Sequence, residues 1–238
     1  MMYETTDALF TGICDAIRGK DGTTALIRHQ DIPSRISAIN VCGGDLQAFS
    51  SRFYTYGGSG LKLENMVASN FNANSAIFID EAFLPGDAAW EIGVKFTWPE
   101  TISKYANVLF GSWVIDWYQC PTLEIGSNRD IMKVVAAVPD GASAWNQIGN
   151  YEAQVTPGEN CWIKFRFDGE KYVVALSIDG QTFEDIIQIE YGVMYQDASA
   201  SKLQFGGINR SSNHYFEGSI DLKETYIKIG DETWWGRG

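Results

Sequence analysis

The chain has 238 residues, 45% of them hydrophobic, and a formal net charge of −12, which suits an ordinary globular protein. The negative charge disfavours nucleic acid and anionic membranes as partners, since both are polyanions. No stretch approaches the roughly 20 apolar residues of a membrane helix, and residues 1–20 lack the basic and apolar regions of a secretory signal. We therefore expect synthesis in a cytoplasm without a signal peptide. The cysteines are widely scattered, which favours free thiols over a metal site.

The first forty-odd residues have the apolar spacing of two short helices. Helices this short are marginal alone in water, so their apolar stripes must pack on each other, on the main domain or on a second copy of the chain. We predict a helical anchor and oligomerisation segment at residues 1–42, ended by the glycines that follow Cys42. Its assembly residues are Leu9, Phe10, Ile13 and Ile17 in the first helix and Ile32, Ile36 and Ile39 in the second.

From Asp45 onward the apolar period becomes two, which is typical of strands with one buried face. Residues 90–98 alternate strictly, with Trp90 and Trp98 at the ends. Residues 162–183 read WIKFRFDGEKYVVALSIDGQTF and contain two Asp-Gly pairs, which favour tight turns because glycine accepts a positive φ. This stretch predicts an antiparallel meander. Many short strands and turns without a long helical stretch indicate a two-sheet β-sandwich over residues 45–238.

The stretches VTPGENCWIKFRFDGEKYVVALSIDGQTF, KLQFGG and FEGSIDLKETYIKIGDETWW resemble the laminin-G-like, concanavalin A-like lectin/glucanase domain. The closing stretch is similar to jelly-roll domains of bacteriophage tail and other virion proteins. The segments ICDAIRGKDGTT and DIPSRISAI resemble a helical leader found at the start of such phage proteins. The resemblance implies a mainly β, antiparallel jelly-roll sandwich behind a short helical leader. It also implies a place in the virion and attachment to the cell surface, through a tail fibre or receptor-binding protein.

The same sandwich serves lectins and glycoside hydrolases, so the fold alone does not decide between binding and catalysis. Hydrolysis needs two carboxylates about 5–9 Å apart, and glucanases of this fold carry them in an E-x-D-x-x-E spacing. No stretch supplies that set: Glu124 and Glu152 stand alone in their strands, and Glu184-Asp185 follows a turn. The expectation is that the chain is not an enzyme, although a pair assembled from distant strands would escape this search.

A lectin-like site needs aromatic rings for the apolar side of a sugar and amide, carboxylate or Arg groups for its hydroxyls. Trp113 and Trp117 are spaced for burial among apolar residues, so we expect them in the core. Two other loop-like stretches have the required mixture. The candidate glycan-binding residues are Trp145, Asn146, Gln147, Asn150 and Tyr151 in the first and Asn209, Arg210, Asn213, His214 and Tyr215 in the second.

No cofactor is predicted. Calcium is a possible ligand of the fold, with Asp130, Asp140 and Asp197 as oxygen donors, but no D-x-D-x-D cluster appears. The pair Trp234-Trp235 should place one ring inward, since neighbours in a strand face opposite ways.

The favoured function is a non-catalytic phage adhesin that binds host cell-surface glycan and is attached to other virion proteins by its N-terminal helices. Its packed stripes predict a homo-oligomer, and a trimer would suit a fibre. The alternatives are a capsid or tail decoration protein without a glycan ligand, and a glycan hydrolase.

Overall fold

The structure is a computed structural model. It describes residues 53–55, 61–72, 75–79, 81–99, 107–111, 113–114, 117–118, 120–128, 131–139, 147–153, 155–190, 194, 196, 201–207 and 214–236. The predicted helical anchor at residues 1–42, with all its assembly residues, lies outside this part of the chain. So do the three aspartates suggested as calcium donors.

The described residues form two large sheets whose strands pair only in antiparallel fashion. The seven-stranded sheet has, in spatial order, β1 (Phe53–Thr55), β4 (Ile77–Ile79), β15 (Gln204–Phe205), β6 (Asn107–Gly111), β9 (Thr122–Asn128), β10 (Ile131–Val138) and β11 (Gln147–Ala153). The eight-stranded sheet has β14 (Glu184–Glu190), β13 (Lys171–Ser177), β12 (Asn160–Phe167), β5 (Trp90–Thr97), β16 (Ser219–Ile229), β3 (Val67–Ser69) and β2 (Lys62–Glu64), with β17 (Glu232–Gly236) paired to β16. A separate short hairpin joins β7 (Trp113–Val114) to β8 (Trp117–Tyr118).

The predicted meander is confirmed as β12, β13 and β14. Its turns fall at the two Asp-Gly pairs, where Gly169 has φ 99° and Gly180 has φ 74°. The alternation in β12 buries Ile163, Phe165 and Phe167 and leaves the intervening side chains half-buried. The strand after the first turn ends at Ser177, so the apolar side chain that follows it is left outside the sheet.

Aromatic side chains pack the two sheets face to face. The rings of Phe110 in β6 and Phe165 in β12 lie 6.4 Å apart, and Phe205 in β15 stacks on Trp235 in β17 at 5.1 Å. Trp235 is fully buried, whereas Trp234 is half-buried against Phe83. The expectation that one of these two indoles points inward is therefore confirmed, and the architecture is that of a β-sandwich.

The described part of the chain has no helix long and apolar enough to cross a membrane. Cys120 and Cys161, the cysteines within the described residues, are buried free thiols. The side chains of Trp113 and Trp117, expected in the core, are outside the described part of the structure.

Candidate functional site

The two sheets meet along one side of the sandwich, where edge strands β11 and β14 contact each other. Gly149 makes this approach possible. A Cβ atom at Gly149 would lie 2.1 Å from Cγ2 of Ile187 in β14, closer than two non-bonded carbon atoms can come. The missing side chain therefore lets one sheet edge rest against the other.

Beside this contact lies an open cleft of about 580 Å³, which we call the edge cleft. Strand β11, the end of β13, the β13–β14 turn and the start of β14 form its walls. Its polar lining residues are Tyr151, Glu152, Ser177, Asp179, Thr182 and Glu184. Its apolar lining residues are Ala153, Val155, Leu176, Ile178 and Ile186.

The β13–β14 turn forms a rigid wall of the edge cleft. One carboxylate oxygen of Asp179 accepts hydrogen bonds from the backbone amides of Thr182 and Gln181 and from the hydroxyl of Ser177, each at 2.8 Å. These bonds favour the ionised carboxylate and hold the pKa of Asp179 well below its usual range. The backbone amide of Gly180 donates to the Ser177 hydroxyl at 2.9 Å and closes the turn.

This turn also explains an exposed apolar side chain. Ile178 follows the last residue of β13 and precedes the hydrogen-bonded Asp179, so it leaves the sheet before the chain reverses. It is 67% exposed although it belongs to an apolar run in the sequence. An aliphatic group held at the rim of a cleft can contact the apolar side of a ligand.

The lining of the edge cleft also includes a tyrosine and two glutamates. Tyr151 in β11 is half-buried, and its neighbour Glu152 is exposed. Glu184 is exposed at the first position of β14, opposite Leu176 of β13. Within the described part of the structure, neither glutamate forms a hydrogen bond or an ion pair. In the strand register Glu152 lies opposite Lys133 of β10.

The outer face of the eight-stranded sheet has a different character. Trp162 donates its Nε1–H to Glu224 at 2.7 Å, and the ammonium of Lys95 lies 5.0 Å from the centre of its ring. Lys95 also forms ion pairs with Glu224 at 2.7 Å and with Asp221 at 3.1 Å. Hydrogen bonds from Lys95 and Trp162 hold the pKa of Glu224 below its usual value.

On the same face, two more aromatic rings each lie beneath a lysine ammonium. The Lys164 ammonium lies 4.1 Å from the centre of the Phe183 ring, and that of Lys228 lies 4.9 Å from the centre of the Tyr226 ring. Burial and a hydrogen bond to Glu91 raise the pKa of Tyr226, whose hydroxyl donates to that carboxylate at 2.5 Å. These aromatic faces are thus engaged within the protein, whereas Tyr151 in the edge cleft has no such cover among the described residues.

The structure separates the two candidate stretches. In the first, Tyr151 lines the edge cleft, Asn150 is exposed beside it in β11, and Gln147 begins that strand. In the second, His214 and Tyr215 are half-buried, and Tyr215 bridges to Gly207 after β15. Strands β6, β9 and β10 lie between β15 and β11, so the described residues of the two stretches lie at separate strands of the sheet. Trp145, Asn146, Asn209, Arg210 and Asn213 lie outside the described residues.

Several cleft residues were missed in the sequence. Glu152 stood alone in its strand and Glu184 followed a turn, and only the meeting of β11 with β14 brings them to one cleft. Ile178 looked like the end of a strand. The Asp-Gly pair at the β13–β14 turn was the available signal, because it fixes where the chain must leave the sheet. Within the described residues, no group of three or more His, Cys, Asp or Glu side chains could hold a metal ion.

No family model and no curated protein matches the chain. Several solved structures are similar to the chain. The enzymatically active domain of tailspike protein 2 from bacteriophage CBA120 has a TM-score of 0.52 and 13% identity, covering 76% of this chain and 29% of that one. An alginate lyase from Alteromonas sp. 272 has a TM-score of 0.50 and 9% identity, covering 76% and 96%. A carbohydrate-binding module from Bacillus subtilis has a TM-score of 0.44 and 9% identity, covering 74% and 95%. At these identities the similarity shows the fold.

The comparison corrects one expectation drawn from the sequence. The absence of an E-x-D-x-x-E spacing led to the expectation that the chain is not an enzyme, and that expectation is wrong. The fold is shared with an alginate lyase and with the enzymatically active domain of a tailspike, so it is not a fold of lectins alone. The meeting of Glu152 and Glu184 in one cleft shows how carboxylates from distant strands escape a search for a local motif.

Proposed function

We propose that the β-sandwich binds carbohydrate in the edge cleft. The observation that carries this proposal is a cleft of ligand size whose lining includes Tyr151, the exposed Ile178 side chain and two exposed glutamates. A sugar presents an apolar ring face and a rim of hydroxyls, and this mixture of groups complements both. On the outer face of the eight-stranded sheet, the aromatic rings are already in contact with charged side chains of the protein. This favours the cleft as the location of the site.

We further propose that the protein is a phage virion component whose carbohydrate contact attaches the particle to the host surface. This rests on the resemblance of the leader and the closing stretch to phage virion proteins. In this proposal residues 1–42 join the sandwich to other virion proteins and to further copies of the chain. The shared fold of the tailspike domain is compatible with such a role.

A glycan array probed with the full-length protein tests carbohydrate binding. We expect specific glycans to be retained, and we expect Tyr151→Ala to lose most of that signal because it removes the ring from the cleft wall. Ile178→Ala should weaken binding several-fold, whereas Leu84→Ala should not. Leu84 is the matched control, since it is an exposed aliphatic side chain outside the cleft. Absence of binding to any glycan would contradict the proposal and favour a decoration protein without a glycan ligand.

Glycan cleavage at the same cleft is a second candidate function. The observation in its favour is that Glu152 and Glu184 both line this cleft, since a glycosidase needs two carboxyl groups at one site. Incubation of a bound glycan with the protein should then produce new reducing ends, and Glu152→Gln or Glu184→Gln should abolish them. Bound glycan that stays intact would restrict the function to binding.

A further inference from the structure

Much of the lining of the edge cleft is aliphatic. Five of its described lining residues have hydrocarbon side chains: Ala153, Val155, Leu176, Ile178 and Ile186. The two isoleucines keep the most exposure, since Ile178 is 67% exposed and Ile186 is half-buried. A ligand in the cleft would therefore contact hydrocarbon that water covers in the free protein.

A β-bulge in β14 brings Ile186 to the cleft. Val174 of β13 pairs with Ile187, whereas the next residue, Ala175, pairs with Asp185. Ile186 is therefore an extra residue without a register partner in β13. Bulges of this kind re-aim side chains and are frequent next to active sites.

The bulge also reverses the alternation of β14. Ile187 is buried in the core, and Asp185 pairs with Arg166 on the outer face at 3.0 Å. Strict alternation from Ile187 would place Ile186 on the outer face and turn Asp185 inward. The bulge instead leaves the charged side chain outside and the aliphatic side chain in the lining of the cleft.

The β13–β14 turn presents the second isoleucine. The hydrogen bonds that Asp179 accepts hold the turn closed, and Ile178 lies at its start with most of its side chain in water. Because the turn is already ordered, a ligand that covers Ile178 would bind with little loss of backbone entropy. Two separate backbone features, the bulge and the turn, thus bring an isoleucine to the same cleft.

From this arrangement we infer that the edge cleft recognises a methyl substituent on a sugar, either the C6 methyl of a 6-deoxyhexose or the methyl of an acetyl group. The inference rests on the proposed carbohydrate binding at the same cleft. A methyl group against Ile178 and Ile186 would leave water together with them. A hydroxyl at the same position would lose hydrogen bonds to water, since neither isoleucine side chain can replace them. The selectivity should be moderate because the cleft is open to solvent.

Ligand-observed nuclear magnetic resonance titration of the full-length protein tests the inference, since it measures the weak binding of single sugars. The probes are free monosaccharides in matched pairs: L-fucose with L-galactose, L-rhamnose with L-mannose, and N-acetyl-D-glucosamine with D-glucose. We expect the methyl-bearing sugar of at least one pair to bind about three- to tenfold more tightly than its partner. A preference in the first two pairs identifies the C6 methyl, and a preference in the third identifies the acetyl methyl. Saturation transferred from the protein should be strongest at the methyl protons.

Aliphatic-to-hydroxyl variants assign the preference to the cleft. Ile178→Thr and Ile186→Thr keep a branched side chain, and each should bring the affinity ratio of the preferred pair close to one. Leu84→Thr is the matched control, since Leu84 is an exposed aliphatic residue outside the cleft. The control should retain the full ratio. An equal fall of the ratio in all three variants, or no fall in either cleft variant, would overturn the inference.

The outcomes also separate the inference from the proposed function. Equal affinities within every pair overturn the methyl recognition and leave carbohydrate binding in place. The same conclusion follows if the glycan array retains glycans while no monosaccharide probe binds. Failure of every probe, with no glycan bound on the array, overturns both.

Discussion

Single residues in this protein hold the geometry that the proposed function needs. Asp179 fixes the turn that exposes Ile178, and it does so as an ionised group. Its pKa is lower in the folded protein than the ordinary value of 3.8, so its stabilising effect is present above about pH 4 and fades as the pH falls through the folded pKa. The wall of the cleft should therefore be a pH-sensitive part of the fold under acidic conditions.

The first prediction concerns this residue. We expect Asp179→Ala to lower the urea midpoint of unfolding near neutral pH, because the turn loses its three hydrogen bonds. The difference from the wild type should shrink as the pH is lowered well below 3.8, since the wild-type carboxyl is then protonated too. Glu170→Ala serves as the control, because the Glu170 side chain is exposed and makes no hydrogen bond or ion pair among the described residues. A difference that stayed constant with pH would contradict the role assigned to the carboxylate.

The second prediction concerns the buried thiols. Burial raises the pKa of Cys120 well above its usual value and that of Cys161 to about 12, the latter with help from Glu159. Since the thiolate is the reactive form, both should resist alkylation in the native protein and react fully after denaturation. The measurement is mass spectrometry of a Cys14→Ser/Cys42→Ser variant treated with iodoacetamide at mildly alkaline pH. Rapid native labelling of either thiol would show that the core packing is wrong.

At the scale of elements, the contact between edge strands β11 and β14 depends on a glycine. We predict that Gly149→Ala destabilises the protein by about 1–3 kcal/mol, because the new methyl group would overlap Ile187 and force β11 away from β14. In an Ile187→Ala background the same substitution should cost clearly less, since the overlapping atoms are gone. Urea unfolding of the two single variants and the double variant measures this coupling. Strictly additive effects would mean that the strands do not approach as described.

The strands show how much of the fold the sequence pattern predicts. Strict alternation in β5 and β12 and the Asp-Gly pairs around β13 predicted the meander and its buried face, because a period of two follows directly from strand geometry. The limit of β13 was less predictable. The apolar run suggests that Ile178 belongs to the strand, but the hydrogen bonds of the turn begin at Ser177.

The candidate site was harder to predict than the strands. Tyr151 was recognised because aromatic and amide residues cluster around it in the sequence. Glu152 was judged solitary and Glu184 was placed with Asp185 after a turn, since no local pattern connects β11 to β14. Their proximity is a property of how the two sheet edges meet, and such long-range pairing leaves no periodic trace in either strand.

At the scale of the whole molecule, the proposed anchor makes a prediction about assembly. We expect the full-length chain to be a homo-oligomer, because the apolar stripes of residues 1–42 would pack across chains. A chain lacking those residues should be a monomer with the same near-ultraviolet circular dichroism. Light scattering of both forms measures the masses. A monomeric full-length protein would contradict assembly through the leader and leave the sandwich unaffected.

The proposed function depends on the edge cleft being the place where carbohydrate binds. The most direct measurement is a nuclear magnetic resonance titration of the isotope-labelled protein with a glycan retained on the array. We predict that the largest amide shifts occur at Tyr151, Ile178, Thr182 and Glu184. We predict that residues on the outer face of the eight-stranded sheet, such as Lys164 and Tyr226, stay unchanged. Large shifts on that outer face with none in the cleft would contradict the central claim.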